Sequence, residues 1–333
     1  MVNGLLLKRV ARLKNKFFYI LIILLMPAVV LASDHEKVEQ WLKKMHEAAH
    51  MLNYSGKFVF QQGKQLSLMK IIHASENGSE YERLISLDDI GREIIRSKGI
   101  VTCILPDSKT VVVDKARPSH QFPPKFPMQI NELKKQYHFM LDRTEMVAGR
   151  KAQKIVIVPG DRYRYGHRLW IDTDTGLLLK THLVDNRGDL LEQFMFTEIE
   201  FMESVPEHLL KPRTVGDSYT WYESEQSEHV DADSESGWVA RKLPAGFNSD
   251  MSRSHKMPNK KLVRHMVFSD GLASVSIFIE RTQKHATNLV GSSRMGAVNA
   301  YGRRLNDYYV TAVGEVPNAT VKLINESVVY EKP

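Results

Sequence analysis

Ten consecutive residues, DRYRYGHRLW (161–170), carry three arginines, two tyrosines, a histidine and a tryptophan. Aromatic and basic residues that interleave, as in Arg162-Tyr163-Arg164-Tyr165, can stack on and neutralise single-stranded nucleic acid. The same arginines can pair with acids on neighbouring strands, with solvent, or with an acidic ligand such as a phosphorylated lipid. Charge argues against nucleic acid. The chain has 46 basic and 39 acidic residues, but Lys8, Arg9, Arg12, Lys14 and Lys16 all precede residue 17, and the remainder is close to balance. A strand with alternating faces explains the pattern more simply, and it makes Arg162 and Arg164 candidates for an exposed partner surface.

Other candidate chemistries fail on spacing. DTDTG (172–176) is acidic enough for calcium, but its glycine falls fifth where an EF-hand needs it sixth, and Leu183 stands where the twelfth-position glutamate belongs. It reads as a hairpin turn. Ser269 and Asp270 lie near His265, yet no GxSxG elbow is present. The thirteen histidines contain no HExxH, and no His/Cys pair has zinc spacing. Gly-rich GSSRMGAVNAYG (291–302) lacks the GK[ST] of a phosphate loop and reads as a mobile loop between strands. Glu145, Asp161 and Glu192 lie near aromatics, but sequence does not bring them together. Cys103, in IVTCILP, is the lone cysteine, so no disulfide forms within the chain, and it reads as a small buried hydrophobe. No catalytic constellation, cofactor site or metal site emerges.

Residues 1–16 are basic and 17–31, FFYILIILLMPAVVL, almost wholly apolar, followed by Val30-Leu31-Ala32 as a cleavage site. That order predicts a secretory signal peptide over 1–32, since about 15 apolar residues fall short of the roughly 20 a membrane span needs. Ser33 and Glu36 form a capping box, and Val38, Trp41, Leu42, Met45, Ala49 and Leu52 recur at helical spacing, predicting an amphipathic helix. GKFVF, SLMKII, YERLIS, REIIRS, IVTCIL and TVVVD predict a run of antiparallel strands. Pro-rich ARPSHQFPPKFP (116–127) interrupts it, and INELKKQYHFML is expected to be a short helix. Strands resume at KIVIVP, HRLWID, LLLKTHLVD and LLEQFMFTEIEF, the last two joined as a hairpin by NRG.

The acidic stretch ESEQSEHVDADSES matches no calcium loop and predicts a linker over 213–235. Beyond it, Asp270-Gly271 between two β-like runs signals a hairpin, YYVTAVGE a strand and PNATVKLINESV a short helix. The organisation is therefore 33–212, a linker, and a smaller α+β domain over 236–333. A helix against a long open sheet leaves an apolar concave face. Phe58, Phe60, Met69, Phe194 and Phe196 are candidates to line a cavity there for acyl chains, or to be plain core.

YSGKFVFQQG (54–63), YERLISLDDIGREIIR (81–96), DRYRYGHRLWIDTDTGLLLK (161–180), GDLLEQFMFTEIEF (188–201), LPAGF (243–247), FSDGLASVSIFIE (268–280) and VTAVGEVPNATV (310–321) together resemble the bacterial RseB/MucB family across nearly all of 50–330. The resemblance implies an α+β protein. Its N-terminal open antiparallel sheet would be a half-barrel wrapped around a helix, like the LolA/LolB lipoprotein carriers, with a smaller α+β domain packed against it. It implies a non-enzymatic periplasmic regulator without cofactors. Such a regulator binds the periplasmic domain of an RseA/MucA-like anti-sigma factor and shields it from site-one proteolysis until a lipid, lipoprotein or lipopolysaccharide signal arrives. A periplasmic lipid or lipoprotein carrier is the alternative, and an envelope hydrolase the third class. Self-association into a homo-oligomer stays open. LDDIG (87–91) and His167 depart from the family, which more usually has Leu-Asp-Gly and a tyrosine there. The candidate contact residues are Arg162, Arg164, His265, Asp270 and Gly271.

Overall fold

The computed structural model describes residues 34–76, 78–88, 91–115, 126, 130–212, 218–223, 229–230, 237–256, 262–282 and 290–331. The expected signal segment, the capping residue Ser33, nearly all of the Pro-rich passage and most of the acidic linker lie outside them.

Helix α1 (Asp34–Met51) follows the predicted periodicity. Val38, Leu42, Met45 and Ala48 are buried, so the stripe turns inward at Ala48 rather than at Ala49. Six strands then form an antiparallel meander: β1 (Tyr54–Gln62), β2 (Gln65–Glu76), β3 (Ser79–Ser86), β4 (Glu93–Ser97), β5 (Ile100–Leu105) and β6 (Thr110–Lys115). A second meander comprises β7 (Tyr137–Val147), β8 (Arg150–Pro159), β9 (Gly166–Asp172), β10 (Leu178–Val184) and β11 (Leu190–Phe201). Antiparallel pairing of β1 with β11 fuses the two. After a short helix α2 (Glu207–Leu210), β12 (Thr220–Glu223) adds parallel to β6, completing an open twelve-stranded sheet with β12 and β7 at its edges.

The expected helix in INELKKQYHFML is a single 3-10 turn at Leu133–Lys135, and Tyr137 begins a strand. The reason is pairing. Phe139 stands opposite Ile157 and Leu141 opposite Ile155, so the alternation Tyr137, Phe139, Leu141 matches a pleat and overrides the local helical pattern.

Cross-strand partners share a face. Ile155, Leu169, Thr181, Phe194 and Phe60 form one such row across β8, β9, β10, β11 and β1. Ile155 and Leu169 pack in one cluster with Val38, Leu42 and Met45, so this is the face that α1 covers. The rows offset by one residue carry Lys154, Trp170, Lys180, Met195 and Val59 onto the opposite face.

The second lobe follows: β13 (His229–Val230), β14 (Trp238–Ala240), β15 (Asn248–Lys256), β16 (Leu262–Ser269), β17 (Ser274–Arg281), β18 (Gly291–Met295), β19 (Val298–Leu305), β20 (Tyr308–Gly314), α3 (Asn318–Ser327) and β21 (Val328–Tyr330). Seven of these strands form one sheet in the order β13-β15-β16-β17-β20-β19-β18, and β14 pairs with β21. Val321 and Ile324 of α3 pack against Met266, Phe268, Val275, Ile277, Val310 and Ala312. Residues 291–302 are not a loop as expected. They are the hairpin β18–β19, turned at Gly296 with φ +60°.

Leu42 is nearly inaccessible at the centre of the α1 stripe. Leu42→Ala is expected to lower stability by about 2–5 kcal/mol through lost burial and the void left behind, read from urea denaturation of the mature chain. A change within error would mean that α1 is not integral to this core.

Candidate functional site

The cluster that opened the sequence reading folds into a junction between the two lobes. Residues 161–165 form a turn before β9, not a strand. The turn is held locally by Asp161, whose Oδ1 accepts the Tyr163 N–H at 2.8 Å while its Oδ2 pairs with Arg164 Nη1. Arg164 is wholly buried. Its Nε donates to Asp270 Oδ2 at 2.5 Å, and its Nη2 donates to the Ala245 carbonyl. The guanidinium lies between Tyr137 and Phe247, 5.6 and 5.1 Å from their ring centroids. Tyr137 belongs to the core under α1 and Phe247 to the core under α3, so one cation touches both interiors.

Asp270 uses both carboxylate oxygens. Oδ1 accepts the Leu272 and Ala273 N–H groups at 2.9 and 2.7 Å and so shapes the Ser-Asp-Gly-Leu turn. Oδ2 takes Arg164 and the Tyr137 hydroxyl, the latter at 3.0 Å. Burial, and then the Asp270 charge, push the Tyr137 phenol well above its ordinary range. The turn thereby inserts Leu272 into the core under α1. Around it, Tyr165 Oη accepts from Asn299 Nδ2 at 2.9 Å, and Thr320 Oγ1 donates to the Tyr163 carbonyl at 2.7 Å. Gly246, at φ +86°, leaves room for the Gln136 side chain, which a Cβ there would meet at 2.7 Å.

This placement corrects the expected partner surface. Arg164 and the Asp270 carboxylate are interior: they pair with each other across 106 residues of sequence, and solvent is excluded from both. Arg162 is exposed and lies over the Tyr163 ring at 5.4 Å, and Gly271 is exposed at the hairpin tip. His265 is not beside Asp270. It sits half-buried within β16, stacked on Phe278 at 4.5 Å with Nε2 3.1 Å from Ser276 Oγ. The serine, aspartate and histidine weighed for hydrolysis are thus not a triad: Ser269 Oγ donates to the Ala273 carbonyl.

The five candidate cavity residues do meet. Phe58, Phe194 and Phe196 are buried in one edge-on aromatic cluster, with centroids 5.1 Å apart for Phe58–Phe194 and 5.0 Å for Phe194–Phe196. Gly56 makes space for Phe196, whose ring a Cβ there would meet at 2.6 Å. Phe60 and Met69 are half-buried at the cluster's border. The α1 stripe packs into a different cluster, and Leu52, just past the helix, is the residue of that segment touching the aromatics.

Asp172 accepts the Asp174 and Thr175 N–H groups, each at 2.9 Å, and pairs with Arg150, so DTDTG is the expected turn. Cys103 is half-buried rather than closed in, and burial raises its thiol pKa. Among the described residues no group of three or more His, Cys, Asp or Glu side chains could hold a metal, and no helix is long and apolar enough to cross a membrane.

Fold and junction together define a class: a two-lobed protein of open, helix-backed sheets whose most concentrated polar chemistry is used to hold its lobes together. The chain belongs to the MucB/RseB family, whose N-terminal domain model matches residues 37–214 and whose C-terminal domain model matches 232–329. It is 31% identical to the sigma factor AlgU regulatory protein MucB of Pseudomonas aeruginosa, over 89% of this chain and 92% of that one. It is 25% identical to the sigma-E factor regulatory protein RseB of Haemophilus influenzae, over 95% and 98%. The structure of the Pseudomonas aeruginosa MucA/MucB complex superposes with a TM-score of 0.70 at 28% identity, covering 89% of this chain and all of that one.

Two outcomes follow. Arg164→Met leaves Asp270 buried and uncompensated and is expected to cost about 3–5 kcal/mol. Adding Asp270→Asn should recover part of that loss in a double-mutant cycle measured by urea denaturation; additive losses would mean that the two do not interact. His167, edge-on to Phe126 at 5.4 Å, has its pKa lowered to about 4 by burial, with Asp270 opposing the shift. The folded state therefore resists a proton that the unfolded chain accepts below its ordinary 6.5. Stability should be complete above that value and decline as pH falls from 6.5 towards 4, and His167→Phe should flatten this part of the curve. An unchanged curve would place the acid sensitivity elsewhere.

Proposed function

We propose that this chain acts in the periplasm, binding the periplasmic domain of a membrane-spanning anti-sigma factor and shielding it from the first proteolytic cut, until a lipid, lipoprotein or lipopolysaccharide signal releases it. The observation that carries the reading is the family match in each lobe, together with a similar protein solved in complex with MucA. The basic-then-apolar order of residues 1–32 supports export. The division proposed is 33–212, an acidic joining segment over 213–235, and 236–333. Part of that segment pairs at the sheets: β12 on β6 and β13 on β15.

The junction supports a switch. A ligand shifts a two-state equilibrium by its differential affinity for the two states. Lobes held by one buried ion pair and an inserted hairpin have a defined docked state against which a signal can act. The half-buried Phe60 and Met69 are the proposed entry for an acyl chain, with Phe58, Phe194 and Phe196 behind them.

The carrier alternative makes a different prediction. In calorimetry, the mature chain should bind the periplasmic domain of the anti-sigma protein from its own organism, and should slow that domain's cleavage by a site-one protease. An absence of binding, with a stoichiometric acyl ligand co-purifying instead, would overturn the regulator in favour of the carrier.

A further inference from the structure

We propose that the outer face of the twelve-stranded sheet, centred on Arg168, Lys180 and His182, docks an acidic, amphipathic polypeptide segment. Register places these groups together. His182 stands opposite Arg168 on β9 and Gln193 on β11, while Lys180 stands opposite Trp170 and Met195. All lie on the side away from α1. Lys180 Nζ is 4.6 Å from the Trp170 ring centroid, and the His182 ring meets Trp170 edge-on at 4.8 Å. The second lysine over Trp170, Lys154, is already neutralised by Asp142 at 2.8 Å and Glu145 at 3.5 Å. Arg168 and Lys180 are half-buried, and among the described residues neither makes an ion pair. Burial lowers the Lys180 pKa and the nearby Glu145 charge opposes that shift without closing an ion pair, so these partly desolvated cations gain from an incoming anion.

The field at His182 reports the same imbalance. Burial first, and then Lys180, Arg168 and Lys154, lower its pKa to about 4, while the 2.7 Å hydrogen bond to Gln193 opposes them. A seated carboxylate would raise it.

Shape and flanking residues select the occupant. The cations lie along strands and across a ladder of about 4.8 Å spacing, and neighbours on one strand face are nearly 7 Å apart. A line of that kind suits successive carboxylates better than one phosphate, which needs donors converging on a point. The row through Arg168 and His182 continues to Val156 and Met140 on one side and to Gln61 and Leu66 on the other. Leu66 is 64% and Met140 47% exposed. Apolar groups therefore border the charged centre, as an amphipathic segment requires. An anionic membrane fits less well, because a continuous negative surface cannot avoid Asp142 and Glu145 on this face, whereas a segment can set its carboxylates at Arg168 and Lys180 and keep them off those two acids.

The test uses the mature chain and a synthetic peptide of alternating glutamate and leucine pairs, with a glutamine-for-glutamate version as control. Calorimetry should show binding to the glutamate peptide alone, weakened as salt rises, and imidazole NMR should show the His182 pKa rising with saturation. R168Q/K180Q should bind about tenfold or more weakly, while Arg168→Lys, which keeps the charge, should bind within a few-fold of wild type. Equal binding by both peptides, or by R168Q/K180Q, would overturn the proposal. So would inorganic phosphate saturating the site with the same His182 shift while the peptide does no better. Attachment to phosphatidylglycerol vesicles without peptide binding would assign the face to a membrane instead.

Discussion

A guanidinium with no exposure to water is the constraint on which the two-lobed structure depends. Arg164 cannot be deprotonated to escape its burial, so every donor must find an acceptor inside the protein. Asp161 lies on the same turn, but Asp270 and the Ala245 carbonyl belong to the other lobe. Neither lobe alone can satisfy this side chain. Separating them leaves a cation facing Tyr137 on one side and a carboxylate committed to its hairpin on the other. The ion pair is thus weak evidence of net stability but strong evidence of specificity: it sets which surfaces meet, and the inserted Leu272 adds apolar contact to that choice.

Such a junction is cooperative. Arg164 ties the turn before β9 to the hairpin between β16 and β17, while Asn299 and Thr320 reach Tyr165 and Tyr163 on that same turn. Three residues of one turn, Tyr163, Arg164 and Tyr165, therefore meet β16–β17, β19 and the start of α3 together. A change in lobe arrangement must break these contacts as a set, which favours two discrete states over a continuum. That is the physical property a releasable binding protein needs, and the family match gives it a context without being its source.

Much of the fold was legible because its signals are local. Short runs rich in β-branched and aromatic residues marked ten of the eleven strands from Tyr54 to Phe201, and Asp270-Gly271 marked its hairpin. The misses share a cause. The strand at Tyr137–Val147 was hidden by helix formers in NELKK and is decided by pairing with β8. The hairpin at 291–302 was masked by glycines and small residues that lack β propensity yet fit a ladder against β20. The Arg164–Asp270 pair was half visible: Asp161 three residues earlier is a local partner, but nothing in a single sequence connects position 164 to 270. An arginine in a polar stretch reads as solvated until its distant acceptor is known.

The two faces of the first sheet also differ in how they were legible, and the difference bears on function. Inward positions are specified by burial alone, so Leu169 and Ile171 mark the face and the core at once. Arg168, Trp170, Lys180 and His182 alternate with those apolar positions, and the same periodicity assigns them outward; that Trp170 has Glu145 while Arg168 and Lys180 make no ion pair among the described residues appears only when β8, β9, β10 and β11 are laid side by side. Both faces belong to the same strands, so the packing under α1 and the outer cations share one backbone. If an acyl ligand enters at Phe60 and Met69 and a polypeptide docks on the outer cations, as proposed, one continuous sheet carries both sites. The strands whose inner residues pack against α1 are the strands whose outer residues carry Arg168 and Lys180, so any coupling between the two faces would run through β9 and β10 themselves.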